Sequence, residues 1–307
     1  MPIKYYKEEG EDSLSIGQKL YAKHFGLTLD RQLCKGCVIC KLVCPREAIV
    51  LKPISKGPDG KAQPPIVDID EEKCDYHAIC AVACPFGAIK VKINNKETMP
   101  TVEREAFPVL IRDIQVDSER CDPDCKICED ACPLGIVSVK FESLTPEEIK
   151  ARQEKGLPKT SQKTIVDVEK ELCAACRVCE VECPAKVIRV NKFFDGSIRI
   201  KRDLCPEGCQ DCLDVCPVNA LTLEEDGKVY VNDMFCIYCG VCANVCPKPD
   251  ALELSRTAVR HTPIKSGAWN KALENLTSTS GLRREIKAKR TAKARDAVKK
   301  LKSPKGE

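Results

Sequence analysis

Aromatic residues are scarce in this chain: they make up 5% of it, with a single Trp. A hydrophobic core of ordinary bulk is thereby excluded as the main source of stability. Histidine is rarer still, at three (His24, His77 and His261). No G-x-G-x-x-G or Walker-type segment occurs, so little is left for acid–base chemistry or for holding a flavin or nucleotide. No apolar run approaches the ~20 residues that cross a bilayer, and the start, MPIKYYKEEGEDSLS, carries no apolar leader stretch. A cytoplasmic protein without a membrane segment is expected. What the chain has is cysteine, 23 of its 307 residues. An odd number cannot pair fully within one chain, and a reducing cytosol keeps thiols unpaired, so metal ligation is the expected use. Charge is unevenly spread: from Ser255 to Glu307 there are 15 Lys/Arg against 4 Asp/Glu, whereas residues 1–254 carry 35 against 42. A basic tail follows an acidic body.

Aligned on themselves, the cysteines form a sixfold repeat: CKGCVICKLVCP (34–45), CDYHAICAVACP (74–85), CDPDCKICEDACP (121–133), CAACRVCEVECP (173–184), CPEGCQDCLDVCP (205–217) and CIYCGVCANVCP (236–247). Most units follow an alternating β-like run and precede a second one, so a unit reads strand, cysteine loop, short helix, strand. This is the C-x2-C-x2-C-x3-C-P pattern of bacterial-type [4Fe–4S] ferredoxins, whose fourth Cys serves the other cluster of a pair. Three thiolates converge on one cubane face from a tight loop while the fourth, on a helix turn, points the other way. The competing use of such thiols is zinc, but structural zinc sites employ two separated C-x2-C knuckles.

His77 stands where the first motif has Cys37, and with the 23 Cys it makes four ligands for each of six sites. Pairing the motifs in sequence order gives two sets to the first module: Cys34, Cys37, Cys40 and Cys84; and Cys74, His77, Cys80 and Cys44. The second module has Cys121, Cys125, Cys128 and Cys183; and Cys173, Cys176, Cys179 and Cys132. The third has Cys205, Cys209, Cys212 and Cys246; and Cys236, Cys239, Cys242 and Cys216. Nested pairing, with one module inserted in another, stays open. At the His77 site the alternatives are a [3Fe–4S] centre, or water or Asp75 as fourth ligand. A neutral imidazole in place of a thiolate predicts a cluster that is easier to reduce than its neighbours.

The expected fold is α+β: three tandem bicluster ferredoxin modules, each a (βαβ)2 unit, with a basic helical C-terminal tail. The expected ranges are 1–30 for an N-terminal extension, 31–100, 101–192 and 193–254 for the modules, and 255–307 for the tail. Within the second module, Thr145, Pro146 and Glu148 read as cap, first residue and capping-box partner of a surface helix over 146–155, stopped by Gly156 and Pro158. It is either a partner contact or a solvated decoration. The segment PISKGPDGKAQPP reads as an exposed hairpin loop. The motifs at Cys121 and Cys205 have three residues before their second Cys (DPD, PEG), which either retunes those clusters or is a harmless bulge. Trp269, Leu273 and Leu276 share one helical face and are expected either to anchor a partner subunit or to pack on the third module. GLRREIKAKRTAKARDAVKKLK has the composition of a basic helix.

A [4Fe–4S] cluster with four protein ligands offers no open position to a substrate, so the sequence points to an electron conduit with no catalytic site of its own. The competing class is a structural or nucleic-acid-binding iron–sulfur protein, supported only by the basic tail, which lacks interleaved aromatics. Over 31–254 the motifs resemble polyferredoxins. The stretches KLYAKHFGLTLDRQLC, CPFGAIKVKI and SRTAVRHTPIKSGAWNKALENLTS look like the polyferredoxin subunit of archaeal formylmethanofuran dehydrogenases. That resemblance implies low-potential electrons exchanged with tungsten or molybdenum catalytic subunits that reduce CO2 or oxidise formylmethanofuran, and with other ferredoxins or electron donors. Two features depart from that family: it has more than six motifs, and His77 breaks an all-Cys pattern. A polyferredoxin of a hydrogenase or heterodisulfide reductase complex is the alternative.

Overall fold

The computed structural model describes residues 4–53, 56–157, 160–264 and 266–278. The first third contains β1 (Lys4–Glu9), β2 (Ser13–Lys19), β3 (His24–Asp30), α1 (Ile39–Val43), β4 (Ile49–Lys52), β5 (Ile66–Ile69), α2 (Ile79–Ala83), β6 (Ile89–Ile93), β7 (Lys96–Glu97) and α3 (Pro100–Glu103). Next come β8 (Asp113–Val116), α4 (Ile127–Asp130), β9 (Val137–Ser143), α5 (Pro146–Glu154), β10 (Gln162–Val168), α6 (Val178–Glu182) and β11 (Ile188–Asn191). The last third has β12 (Phe194–Ile200), α7 (Asp211–Asp214), β13 (Leu221–Leu223), β14 (Val229–Val231), α8 (Val241–Val245), β15 (Leu252–Val259) and α9 (Gly267–Thr277).

One arrangement occurs three times. The first and last strands of a unit pair antiparallel (β3 with β6, β8 with β11, β12 with β15), and so do its two middle strands (β4 with β5, β9 with β10, β13 with β14). Helices α1 and α2, α4 and α6, and α7 and α8 pack in pairs between them. The alternation of the strands fixes which side faces inward: in β4, Ile49 and Leu51 are buried while Val50 and Lys52 are exposed. The paired helices have four or five residues, too few to be stable alone, so they are held by packing on each other and on the strands around them. Strand β3, within the range expected to be an N-terminal extension, closes the first unit, and β1 and β2 widen its sheet to the order β1-β2-β3-β6-β7.

Helix α5 carries the expected capping box: Glu148 N–H donates to Thr145 Oγ1 at 3.3 Å, and Thr145 N–H donates to Glu148 Oε2 at 2.8 Å. The segment expected to be an exposed hairpin loop is exposed over residues 58–61, where Gly57 N–H donates to Lys61 O at 2.8 Å, but its flanks clip onto the third unit. Ala62 is buried, its N–H donates to Asp214 Oδ2 at 2.9 Å, and Lys56 pairs with Asp211 at 2.5 Å. The face expected on a partner or on the third unit, Trp269, Leu273 and Leu276, is covered by this chain itself. Helix α9 lies on α1 of the first unit and on β15, with Trp269 3% exposed, edge-on to Phe107 and donating to His261 Nε2 at 2.9 Å. Trp269 and Leu276 are buried and Leu273 half-buried within the chain, so the stripe packs on the third unit's β15, as one of the two expectations had it, and also on α1 of the first unit. Most of the basic segment GLRREIKAKRTAKARDAVKKLK, and with it the expected tail helix, lies outside the described residues. Among the described residues no helix is long and apolar enough to cross a membrane.

Candidate metal centres

Each paired helix starts from a loop whose backbone is forced into an unusual shape. The residue just before the second Cys of every motif, or before His77 in the second, is left-handed: Gly36, Tyr76, Asp124, Ala175, Gly208 and Tyr238 have φ between 52° and 68°. That twist turns successive N–H groups toward one point, a concave arrangement that favours negative charge. The N–H groups of Ala175 and Tyr238 each lie 3.4 Å from the Sγ of the first cysteine of their motif. The longer motifs at Cys121 and Cys205 add a residue yet keep the left-handed one in place at Asp124 and Gly208. A second left-handed position follows Cys-Pro in five motifs, at Glu47, Gly87, Gly135, Lys186 and Asn219; Ala220 N–H then donates to Cys216 Sγ at 3.3 Å. Sequence reasoning missed these positions because only the glycines advertise a positive φ.

The thiols gather in six neighbourhoods. Cys40 feels Cys37, Cys34 and Cys84; Cys80 feels Cys74 and Cys44; and Cys121 feels Cys183, Cys128 and Cys125. Likewise Cys179 is surrounded by Cys176, Cys173 and Cys132, Cys212 by Cys246, Cys209 and Cys205, and Cys242 by Cys239, Cys236 and Cys216. Neighbourhoods also lie close enough to act on one another electrostatically: Cys80 on Cys40, Cys128 on Cys179, Cys212 on Cys242 and, between the first and third units, Cys239 on Cys37. Burial first, and then the neighbouring thiols, push the Cys37, Cys40 and Cys242 pKa values well above the usual 9.0. Cys179 and Cys212 are raised to about 12 on the same grounds. A bare thiolate cannot persist there, so these groups need either a proton or a metal.

Three neighbourhoods line small pockets. Cys34, Cys37, Cys40 and Cys84 line one with Leu29 and Phe86. Cys216, Cys236, Cys239 and Cys242 line a second. Cys44, Cys74, Cys80, His77 and Asp75 line a third. His77 Nε2 is buried without a hydrogen-bond partner, and burial lowers the ring's pKa below its ordinary 6.5, which favours the neutral form. Asp75, the competing carboxylate, is engaged by Arg46, Nε to Oδ2 3.2 Å. A buried polar atom without a partner is costly, so the His77 ring fits a ligand that the cavity is shaped to receive.

A 4Fe-4S dicluster domain model matches residues 33–88 and 204–249, which contain the first and third helix pairs. In sequence the chain is 39% identical over 88 residues to the polyferredoxin-like subunit of an aliphatic sulfonate oxidoreductase of Pyrococcus furiosus, over 24% of this chain and 49% of that protein. It is 32% identical over 110 residues to the polyferredoxin protein MvhB of Methanothermobacter marburgensis, over 33% of this chain and 25% of that one. The matches thus span half or less of these curated relatives. In structure it superposes on a chain of the formate dehydrogenase–heterodisulfide reductase–formylmethanofuran dehydrogenase complex from Methanospirillum hungatei. There the TM-score is 0.76 and the identity 33%, with 90% of this chain and 92% of that one covered. On its dicluster domains, its relatives in sequence and a structural match over 90% of its length, the chain belongs to the polyferredoxins.

Proposed function

We propose that this protein is an electron-transfer subunit carrying six [4Fe–4S] clusters, two in each of three ferredoxin units, and that it serves the catalytic subunits of a formylmethanofuran dehydrogenase. The observation that carries the reading is the assembly of each thiol neighbourhood from three residues of one motif and one from its helix partner. Its ligand sets are the six given above, His77 included, with His77 Nε2 as the ligating atom. When bound, such clusters take up and release single electrons, and their four protein ligands leave no place for a substrate. The chain's own residues supply thiolates, left-handed loops that turn amides onto sulfur, and an apolar enclosure. Catalysis is therefore assigned to other subunits. The choice of partner rests on the similarity, over 90% of this chain, to a chain of a complex containing formylmethanofuran dehydrogenase.

Two measurements test this. The purified holoprotein should contain about 24 iron and about 24 sulfide per chain, as six cubanes require; stoichiometric zinc, or about half that iron, would overturn it. Native co-purification should bring down a tungsten- or molybdenum-containing formylmethanofuran dehydrogenase. Recovery with a hydrogenase instead would move the protein to that complex while leaving the cluster reading intact.

A further inference from the structure

The three units meet around the consecutive residues Lys192, Phe193 and Phe194. Both phenylalanines are 1% exposed, and their rings sit edge to face at 4.9 Å. Three cations lie on aromatic rings there. Arg112 is 5.3 Å from the Phe193 centroid, Lys192 5.1 Å from Tyr238, and Arg256 5.8 Å from Phe194. Each donates to the carbonyl of a cysteine in a ligand set. Arg112 Nη2 reaches Cys84 O at 2.8 Å and Nη1 reaches Pro85 O at 3.0 Å; Nη1 also donates to Cys173 O, which joins the first unit to the second. Lys192 Nζ, at the end of the second unit, reaches Cys236 O at 2.7 Å and Asp233 O at 2.9 Å in the third. Arg256, 1% exposed, reaches Tyr238 O at 2.8 Å, Cys239 O at 3.1 Å and Leu276 O of α9 at 3.4 Å. The third unit meets the first beside it: a Cβ built on Gly240 would lie 3.4 Å from Arg256 Nη2 and 3.3 Å from Val38 Cγ2, next to Cys37.

The sets so touched are one per unit: Cys34/Cys37/Cys40/Cys84, Cys173/Cys176/Cys179/Cys132 and Cys236/Cys239/Cys242/Cys216. Of the other three sets, that of the third unit has a cation of its own, Lys228, whose Nζ donates to Cys205 O at 2.6 Å from within the same unit; the Cys121/Cys125/Cys128/Cys183 set has none in the hydrogen bonds of the described residues. Resting on the six-cluster reading, we propose that Arg112, Lys192 and Arg256 are positioning cations of a three-way junction. They tie the ligand loops of neighbouring units together, and their charge raises the reduction potential of the three inner clusters above that of the outer all-cysteine cluster of the second unit, at Cys121, Cys125, Cys128 and Cys183, which has no such cation. The sign follows from charge: reduction adds a negative charge to the cluster, and a fixed cation in a low-dielectric setting stabilises that form. A guanidinium is protonated at all working pH values, so its charge is permanent. Two of the three cations are arginines, whose planar fork suits the several carbonyls each one serves.

The test uses the full-length holoprotein, with iron analysis and an EPR-monitored redox titration of Arg112→Gln, Lys192→Gln and Arg256→Gln beside Arg112→Lys, Lys192→Arg and Arg256→Lys. Each neutral variant should lower at least one midpoint by about a tenfold change in the reduced-to-oxidised ratio, 59 mV for one electron. Its charge-retaining counterpart should restore most of that shift, which a purely structural role would not produce. Full iron with unmoved midpoints in the neutral variants overturns the proposal. Loss of iron from a neutral variant but not from its counterpart supports the tie; loss from both overturns it for that residue. A wild-type protein with far fewer than six clusters would instead refute the underlying reading.

Discussion

At single positions the loops dictate unequal tolerance. Gly36 has φ +64°, and a Cβ there would sit 2.5 Å from the Pro65 carbonyl oxygen, so backbone would have to move. Gly208, at φ +68° in the equivalent place of a longer motif, has nothing within 4 Å. A left-handed alanine costs about 1–2 kcal/mol in either case, but only Gly36→Ala adds the clash. Gly36→Ala should shed about four iron per chain from the first motif's site, whereas Gly208→Ala should keep full iron and lose only that conformational cost of about 1–2 kcal/mol. Iron analysis beside chemical unfolding separates the two. His77 makes the other residue-scale prediction. Replacing it with a thiolate adds a negative charge, so His77→Cys should lower one midpoint potential in a redox titration followed by EPR; an unchanged titration means the ring is not a ligand. The pH effect has a definite sign. Burial depresses the ring's folded pKa below 6.5, so its contribution is present above about 6.5 and is lost as the pH falls toward the depressed value. Acid should therefore bleach one cluster earlier in wild type than in His77→Cys.

At the scale of elements, what could be read in advance was what is local. Helix α5 was legible because a capping box needs only Thr145, Pro146 and Glu148 in order, and its stop only Gly156 and Pro158. The six cysteine motifs were legible for the same reason: three of the residues proposed for each set lie within eight residues. Helix α9 was legible as a helix from Trp269, Leu273 and Leu276. What covers it was not, since α1 and Leu42, whose carbonyl accepts from Asn275 Nδ2 at 3.1 Å, are over 200 residues away in sequence. The clip at Ala62 and the hairpin of β1 and β2 were missed likewise: their partners, Asp214 and β3, are matched by geometry rather than by pattern. Because α5 is held by its cap and has no buried residue, Thr145→Ala should fray it at a cost of about 1 kcal/mol. Faster amide exchange over 146–154 with iron content unchanged is the expected result; iron loss would make α5 a structural support of the second unit.

For the whole molecule, the thiols make opposite demands with and without metal. Burial and neighbouring thiols raise Cys74, Cys121, Cys176 and Cys236 to about 11, and Cys179, Cys212 and Cys239 to about 12, against an ordinary 9.0. In the iron-free chain these groups fold only as neutral thiols. A folded pKa raised above the unfolded one gives stability that is present below about 9 and is lost as the pH climbs through the raised values. With six paired helices of four or five residues, too short to be stable alone, the iron-free chain has only its aliphatic core to hold those segments. The loaded protein behaves in reverse. Its thiolates are stabilised by the metal, protons are released on binding, and protonation competes with coordination as the pH falls. Far-ultraviolet circular dichroism of the anaerobic, reduced, iron-free chain should therefore show weak native structure near neutral pH that disappears between about pH 9 and 12. Visible cluster absorbance of the holoprotein should hold through the lower part of that range and be lost on acidification. An iron-free chain that gains structure as the pH rises would mean that the thiol neighbourhoods are not buried as the fold places them, and that the six sites are not the centre around which the three units are built.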